Sequence, residues 1–132
     1  MPMAVSPAAR PDYAAHTRAV RASFPEVIGA LRGILGLKLC AYLGSVKETR
    51  AVNEWAEGAR EPSEAVQRRL RLAFQVAGAI AEVDGAEVAR AWFQGLNPQL
   101  GDRSPARLLR EGDLDEIGPE VIGAERAFLV GG

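Results

Sequence analysis

Apolar residues along this chain recur at intervals of three and four, the spacing that gathers them on one face of an α-helix. No stretch alternates apolar and polar at period two as a half-buried strand would. Val27, Ile28, Leu31, Ile34 and Leu35 make one such face. It follows the start signal Ser23-Phe24-Pro25-Glu26, with Ser as N-cap, Pro in the first turn and Glu completing a capping box. Leu37, Leu39, Cys40 and Leu43 make a second, closed by Gly44. Ser45-Val46-Lys47-Glu48 is another capping-box pattern, leading into Ala51, Val52 and Trp55 before Gly58 stops the helix. Ser63 caps a longer helix in which Val66, Leu70, Ala73, Ala77 and Ile80 repeat on one side, to about Val83. Beyond the turn Asp84-Gly85, Val88, Ala89, Trp92 and Phe93 mark a short helix ending at Gly95, and Ser104-Pro105 opens another with Leu108 and Leu109 inward. Asp113 to Ile117 predicts one further turn, broken at Gly118-Pro119, and Val121, Ile122, Glu125, Phe128 and Leu129 a last short helix. The pattern predicts an all-α fold, a small helical bundle of about seven or eight helices.

The front of the chain differs. Its first dozen residues are rich in Ala and Pro, and Tyr13 to Ala22 has few apolar anchors. Residues 1–22 are therefore expected to form a flexible extension in which Tyr13 to Ala22 is a weak helix, with 23–83 as a helix-turn-helix region and 84–132 as a second unit.

Composition narrows the function classes. The chain has 132 residues, 16 Lys+Arg against 17 Asp+Glu, and 48% apolar residues, as in an ordinary globular protein. The single Cys40 excludes an internal disulfide framework and suits a reducing cytoplasm. No apolar run approaches the ~18 residues of a membrane span, and the start carries no signal-peptide pattern. No nucleophile-elbow, phosphate-loop or zinc-protease motif is present, so the chain is expected to catalyse nothing and to hold no metal or cofactor. His16 reads as a solvated histidine rather than a general base, and Cys40 as a small buried hydrophobe rather than a nucleophile. Asp113, Asp115 and Glu116 read as helix-capping and solvating groups rather than an acid/base pair.

The formal charge of -1 hides an asymmetry. Residues 1–36 carry 4 basic and 2 acidic groups, residues 37–75 carry 7 and 5, and residues 76–132 carry 5 and 10. A mildly basic front thus precedes an acidic back.

Leu37 to Gly58 fits both an ordinary αα-hairpin and a DNA-binding helix-turn-helix. With Ala51, Val52 and Trp55 inward, Lys47, Arg50, Asn53 and Glu54 face outward. Arg50 and Asn53 are the types that pair bidentately with guanine and adenine edges, and Arg60, Arg68 and Arg69 are placed for phosphates. The small positive charge of this segment predicts weak DNA binding by one copy and useful affinity only for a dimer or larger assembly.

The segment resembles the Xre (lambda-repressor-like) family through Val52, Trp55 and Gly58, which match its Val-x-x-Trp-x-x-Gly pattern, and through the link Arg60-Glu61-Pro62-Ser63. The interval from Gly44 to Val52 is about two residues longer than that family shows, so the second helix starts at Ser45 or at Thr49. Farther along, Ala89-Arg90-Ala91-Trp92-Phe93, Asn97-Pro98-Gln99-Leu100-Gly101 and Arg103-Ser104-Pro105-Ala106-Arg107-Leu108-Leu109 resemble the toxin-binding domain of Xre/MbcA/ParS-type antitoxins. Trp55, Trp92, Asn97, Gly101, Ser104, Pro105 and Leu108 carry this signature and are expected to be structural.

The resemblance implies a type II antitoxin. Its partner would be a RES-domain toxin that degrades NAD, neutralised when the segment Pro119 to Gly132 plugs the toxin's pocket. On that expectation Glu125, Arg126, Phe128, Leu129, Val130, Gly131 and Gly132 touch the toxin, and the helix-turn-helix binds operator DNA as a homodimer or toxin complex. Two other readings remain at this point. One is a stand-alone dimeric transcription regulator, the other an interaction module that no longer touches DNA.

Overall fold

The computed structural model describes residues 11–131, which form eight α-helices and no strand. These are α1 (Pro11–Arg21), α2 (Phe24–Leu35), α3 (Leu37–Leu43), α4 (Thr49–Glu57), α5 (Glu64–Asp84), α6 (Ala86–Gln94), α7 (Pro105–Glu111) and α8 (Leu114–Gly131). A 3-10 turn, Pro98–Leu100, lies between α6 and α7. The all-α bundle expected from the apolar periodicity is what forms.

The caps explain where the helices begin. Ser23 accepts from the Glu26 N–H while the Glu26 carboxylate accepts from the Ser23 N–H, so the capping box closes in both directions. Ser63 and Ser104 each accept from the N–H three residues on.

Helix α5 is the axis of the bundle and touches α1, α2, α3, α6, α7 and α8. Val76 to Ile80 are five consecutive buried residues, because the middle of α5 is covered on every side. Helices α6, α7 and α8 share one apolar core with α2 to α5. Arg90 donates to the Ile34 carbonyl at 3.1 Å and Arg110 to the Tyr42 carbonyl at 3.1 Å, so the turn at Gly85 divides the chain without dividing the core.

Two expectations change. The weak helix expected over Tyr13 to Ala22 forms as α1, but it is seated on α5 rather than part of a flexible extension; residues 1–10 lie outside the described residues. Ala15 and Ala19 are buried, and Gly78 on α5 lies close to Ala15, so small side chains let the two backbones approach. Arg71 closes the contact by donating to the Ala19 and Ala22 carbonyls at 2.7 and 2.8 Å. An interface of small residues needs few large apolar ones, so it leaves little trace in the hydrophobic pattern.

The break expected at Gly118-Pro119 is also absent, since α8 runs through both residues as one helix. Pro119 forfeits one backbone hydrogen bond, but Ile117, Gly118, Val121 and Ala124 around it are buried, and that packing holds the helix together.

Candidate nucleic-acid and partner interfaces

Helices α3 and α4 form the helix-turn-helix pair, and Trp55 fixes their relation. Its indole is buried, lies 6.4 Å from the Phe24 ring and packs so tightly on Gly44 that a Cβ there would stand 2.7 Å from the ring. Of the two possible starts for the second helix, Thr49 is the one adopted. The capping box expected at Ser45 does not form. Ser45 has φ +58°, and its hydroxyl accepts from Arg69 Nη1 at 3.1 Å; the same nitrogen donates to the Leu43 carbonyl at 2.8 Å. Residues 44–48 are thereby held as an extended turn, and Glu48 becomes the N-cap without a side-chain capping bond.

The expected DNA-contacting residues separate into three kinds. Lys47 and Arg50 project into solvent, as expected. Arg50 also pairs with Glu54 at 3.2 Å, and Arg60 pairs with the other oxygen of the same carboxylate at 3.2 Å. The Arg60 hydrogen bond, with Arg50 beside it, holds the Glu54 pKa below its ordinary value, so Glu54 stays charged on this face.

Asn53 and Arg69 are engaged within the fold. Asn53 is half-buried, and its Oδ1 accepts from Arg32 Nη1 at 2.8 Å, which ties one lone pair of the oxygen to α2. Arg69 turns inward to tie α5 to the turn, because the Leu43 carbonyl at the end of α3 lacks a helical partner. Burial is the main cause lowering its pKa from the usual arginine value, with Arg110 adding to it. Arg68 is exposed but paired with Asp115 at 2.9 Å.

The motif over residues 89–109 builds a loop. Asn97 Oδ1 accepts from the Gln99 N–H at 2.9 Å, and the Asn97 N–H donates to the Arg103 carbonyl at 3.1 Å. Gly101 takes φ +67° to close the turn, and Pro105 and Leu108 are buried at the start of α7. Trp92 packs edge-on to Phe93 and lies 6.4 Å from Phe128 of α8. These residues, with Trp55, lie in the loop and the core around it.

The segment expected to plug a toxin is partly core, with Val121, Ala124 and Glu125 buried. Glu125 is 0% exposed and cannot meet a partner while α8 stays docked. Arg126 is exposed, Phe128 and Leu129 are half-buried against the core, Val130 is 90% exposed and Gly131 is exposed; Gly132 lies outside the described residues. Two further apolar residues, Leu96 at 76% exposure and Val88 at 36%, stand near the same end of the bundle. With Ala91, Trp92, Pro98 and Phe128 they line an open groove between α6 and α8. Neither was expected to take part in a contact surface. The one signal for them was an isolated leucine between Gly95 and Asn97, a loop position where a polar residue is the norm.

No helix among the described residues is long and apolar enough to cross a membrane. Comparison with protein-family models, with curated proteins and with solved structures found no match.

Proposed function

We propose that this chain is a type II antitoxin that binds and neutralises a RES-domain, NAD-degrading toxin and represses its own operon through α3 and α4. The observation that carries the reading is the apolar surface at the α6–α8 end. Leu96 stands in solvent beside Trp92 and Phe128 in the groove between α6 and α8, and Val130 is exposed on the last turn of α8. A cluster of this kind is an interaction surface, because water around clustered apolar side chains is released when a partner covers them.

The geometry refines the contact. Val121, Ala124 and Glu125 belong to the core, so the toxin-facing part of the segment is the last turn of α8, joined by Leu96 and Val88 from outside it. The protein supplies no reacting group to the toxin's chemistry; it acts by covering a pocket.

Co-expression with a RES-domain product encoded beside this chain is the test. The wild-type chain should preserve growth and cellular NAD, and Leu96→Glu combined with Val130→Glu should abolish rescue without lowering thermal stability. Full rescue by the double variant would remove this surface from the reading. Failure of the wild-type chain to preserve NAD would refute the antitoxin reading and leave the stand-alone regulator.

A further inference from the structure

Outward from Trp55, the exposed face of α4 is a poor match for a polyanion. The helix carries Arg50 against Glu54 and Glu57, and Arg50 is itself bonded to Glu54. Beside it, over the turn, the balance reverses. A depression bounded by α3, residues 45–50 and α7 is lined by Lys38, Lys47, Arg50 and Arg110, with Glu48 as its one carboxylate. Tyr42, Ser45 and Thr49 add hydroxyl-bearing side chains to the same walls.

Arg110 comes from the other half of the chain and is held in place. Its guanidinium lies 4.5 Å from the centre of the Tyr42 ring and donates to the Tyr42 carbonyl at 3.1 Å, which leaves its other nitrogens available. The nearest acid on its own helix, Glu111, is engaged by Arg107 at 3.2 Å. The cations lining the depression outnumber its acids by four to one; Arg50, like Arg60 and Arg68, is paired with a carboxylate, whereas no ion pair engages Lys38, Lys47 or Arg110 among the described residues.

We infer that this depression, with Lys38 and Arg110 as its added members, is where the chain grips the phosphodiester backbone of duplex DNA. The inference rests on the DNA-binding half of the proposed function and changes its residues. Phosphate binding moves from Arg60, Arg68 and Arg69 to Lys38, Lys47 and Arg110, and α7 joins the interface. Nucleic acid is favoured over a lipid surface because the strongly exposed apolar side chains, Val20, Val83, Leu96 and Val130, all lie outside this depression, leaving nothing beside the cations to insert into a bilayer.

The test is fluorescence anisotropy of a labelled random-sequence duplex of about 20 base pairs, titrated with the full chain at several salt concentrations starting near 50 mM. Removing one cation from a phosphate lowers the slope of log K against log salt by about 0.9, which near 0.1 M salt is a roughly five- to tenfold drop in affinity. Lys38→Gln and Arg110→Gln should each show that drop, whereas Arg60→Gln and Arg68→Gln should leave slope and affinity unchanged. Lys38 is exposed on the surface of α3, so Lys38→Gln keeps the test readable if Arg110→Gln loosens α7. Unaltered slopes for Lys38→Gln and Arg110→Gln, with weakened binding for Arg60→Gln and Arg68→Gln, would overturn the inference and leave DNA binding standing. Absence of wild-type binding to the duplex would overturn both, whereas rescue of cellular NAD would still report on the antitoxin reading. Binding to phosphatidylglycerol vesicles but not to the duplex would overturn the inference in favour of a membrane surface.

Discussion

Gly44→Ala is the sharpest single test of how the helix-turn-helix is held. The added methyl would lie 2.7 and 2.8 Å from two atoms of the Trp55 ring and 3.3 Å from the Cys40 carbonyl oxygen. Carbon atoms rest at about 3.5–4.0 Å, so roughly 1 Å must be found by moving the indole or the turn. Neither moves freely: Trp55 is 2% exposed and wedged beside Phe24, and Arg69 pins the turn at Leu43 and Ser45. Overpacking of this kind costs about 1–3 kcal/mol. Gly29→Ala is the matched control, because its Cβ would meet nothing within 4 Å and the residue lies inside α2, where Ala exceeds Gly by about 0.5–1 kcal/mol. Chemical denaturation with equal m-values should therefore show one glycine-to-alanine change lowering stability and the other raising it. A Gly44→Ala protein as stable as wild type would mean that Trp55 does not fill the space beneath the turn, and the account of how α3 and α4 are clamped would fail.

Other consequences follow from the same structure. Arg69→Met removes two bonds that tie α5 to the turn and should cost about 1–3 kcal/mol in urea unfolding, whereas Arg60→Gln should change stability by less than about 0.5 kcal/mol. Ser104→Ala removes the cap of α7 and should cost about 1 kcal/mol, read as a lowered melting temperature. Cys40 is buried, and its thiol is pushed up from 9.0 to about 12 by that burial, so Ellman's reagent should label it only as fast as the protein unfolds. The sign for stability follows: the unfolded thiol ionises above pH 9.0 while the folded one stays protonated to about 12, so this group's contribution is lost as pH rises through that window. A pH titration in which stability rises over the same range would count against it.

Most of the architecture was legible because it is local. The 3- and 4-residue apolar spacing, Ser-Pro starts and glycine stops specify helices from within a few residues, and Ser23, Ser63 and Ser104 cap where the sequence says they should. The misreadings arose where a local rule met a non-local contact. Ser45-x-x-Glu48 has the chemistry of a capping box, but Arg69, 24 residues away, takes the serine hydroxyl. Pro119 reads as a helix break, yet burial of its neighbours carries α8 through it. Ala15 and Ala19 look like weak anchors until Gly78 is set against them.

The sequence by itself determined most of the helices and the charge asymmetry, since both depend on near neighbours or on simple sums. It also identified the residues that hold the motif loops, because Asn97, Gly101 and Ser104 act on backbone groups within a few positions of themselves. The tertiary structure decided which of the named residues still face outward. It buried Glu125, tied Asn53 to Arg32, turned Arg69 inward, and left Leu96 and Val130 in solvent. It also placed Arg110 over Tyr42, 68 positions earlier in the chain. The reason is geometric: a helical pattern fixes which side of a helix a residue occupies, but only packing against distant helices fixes whether that side meets protein or water.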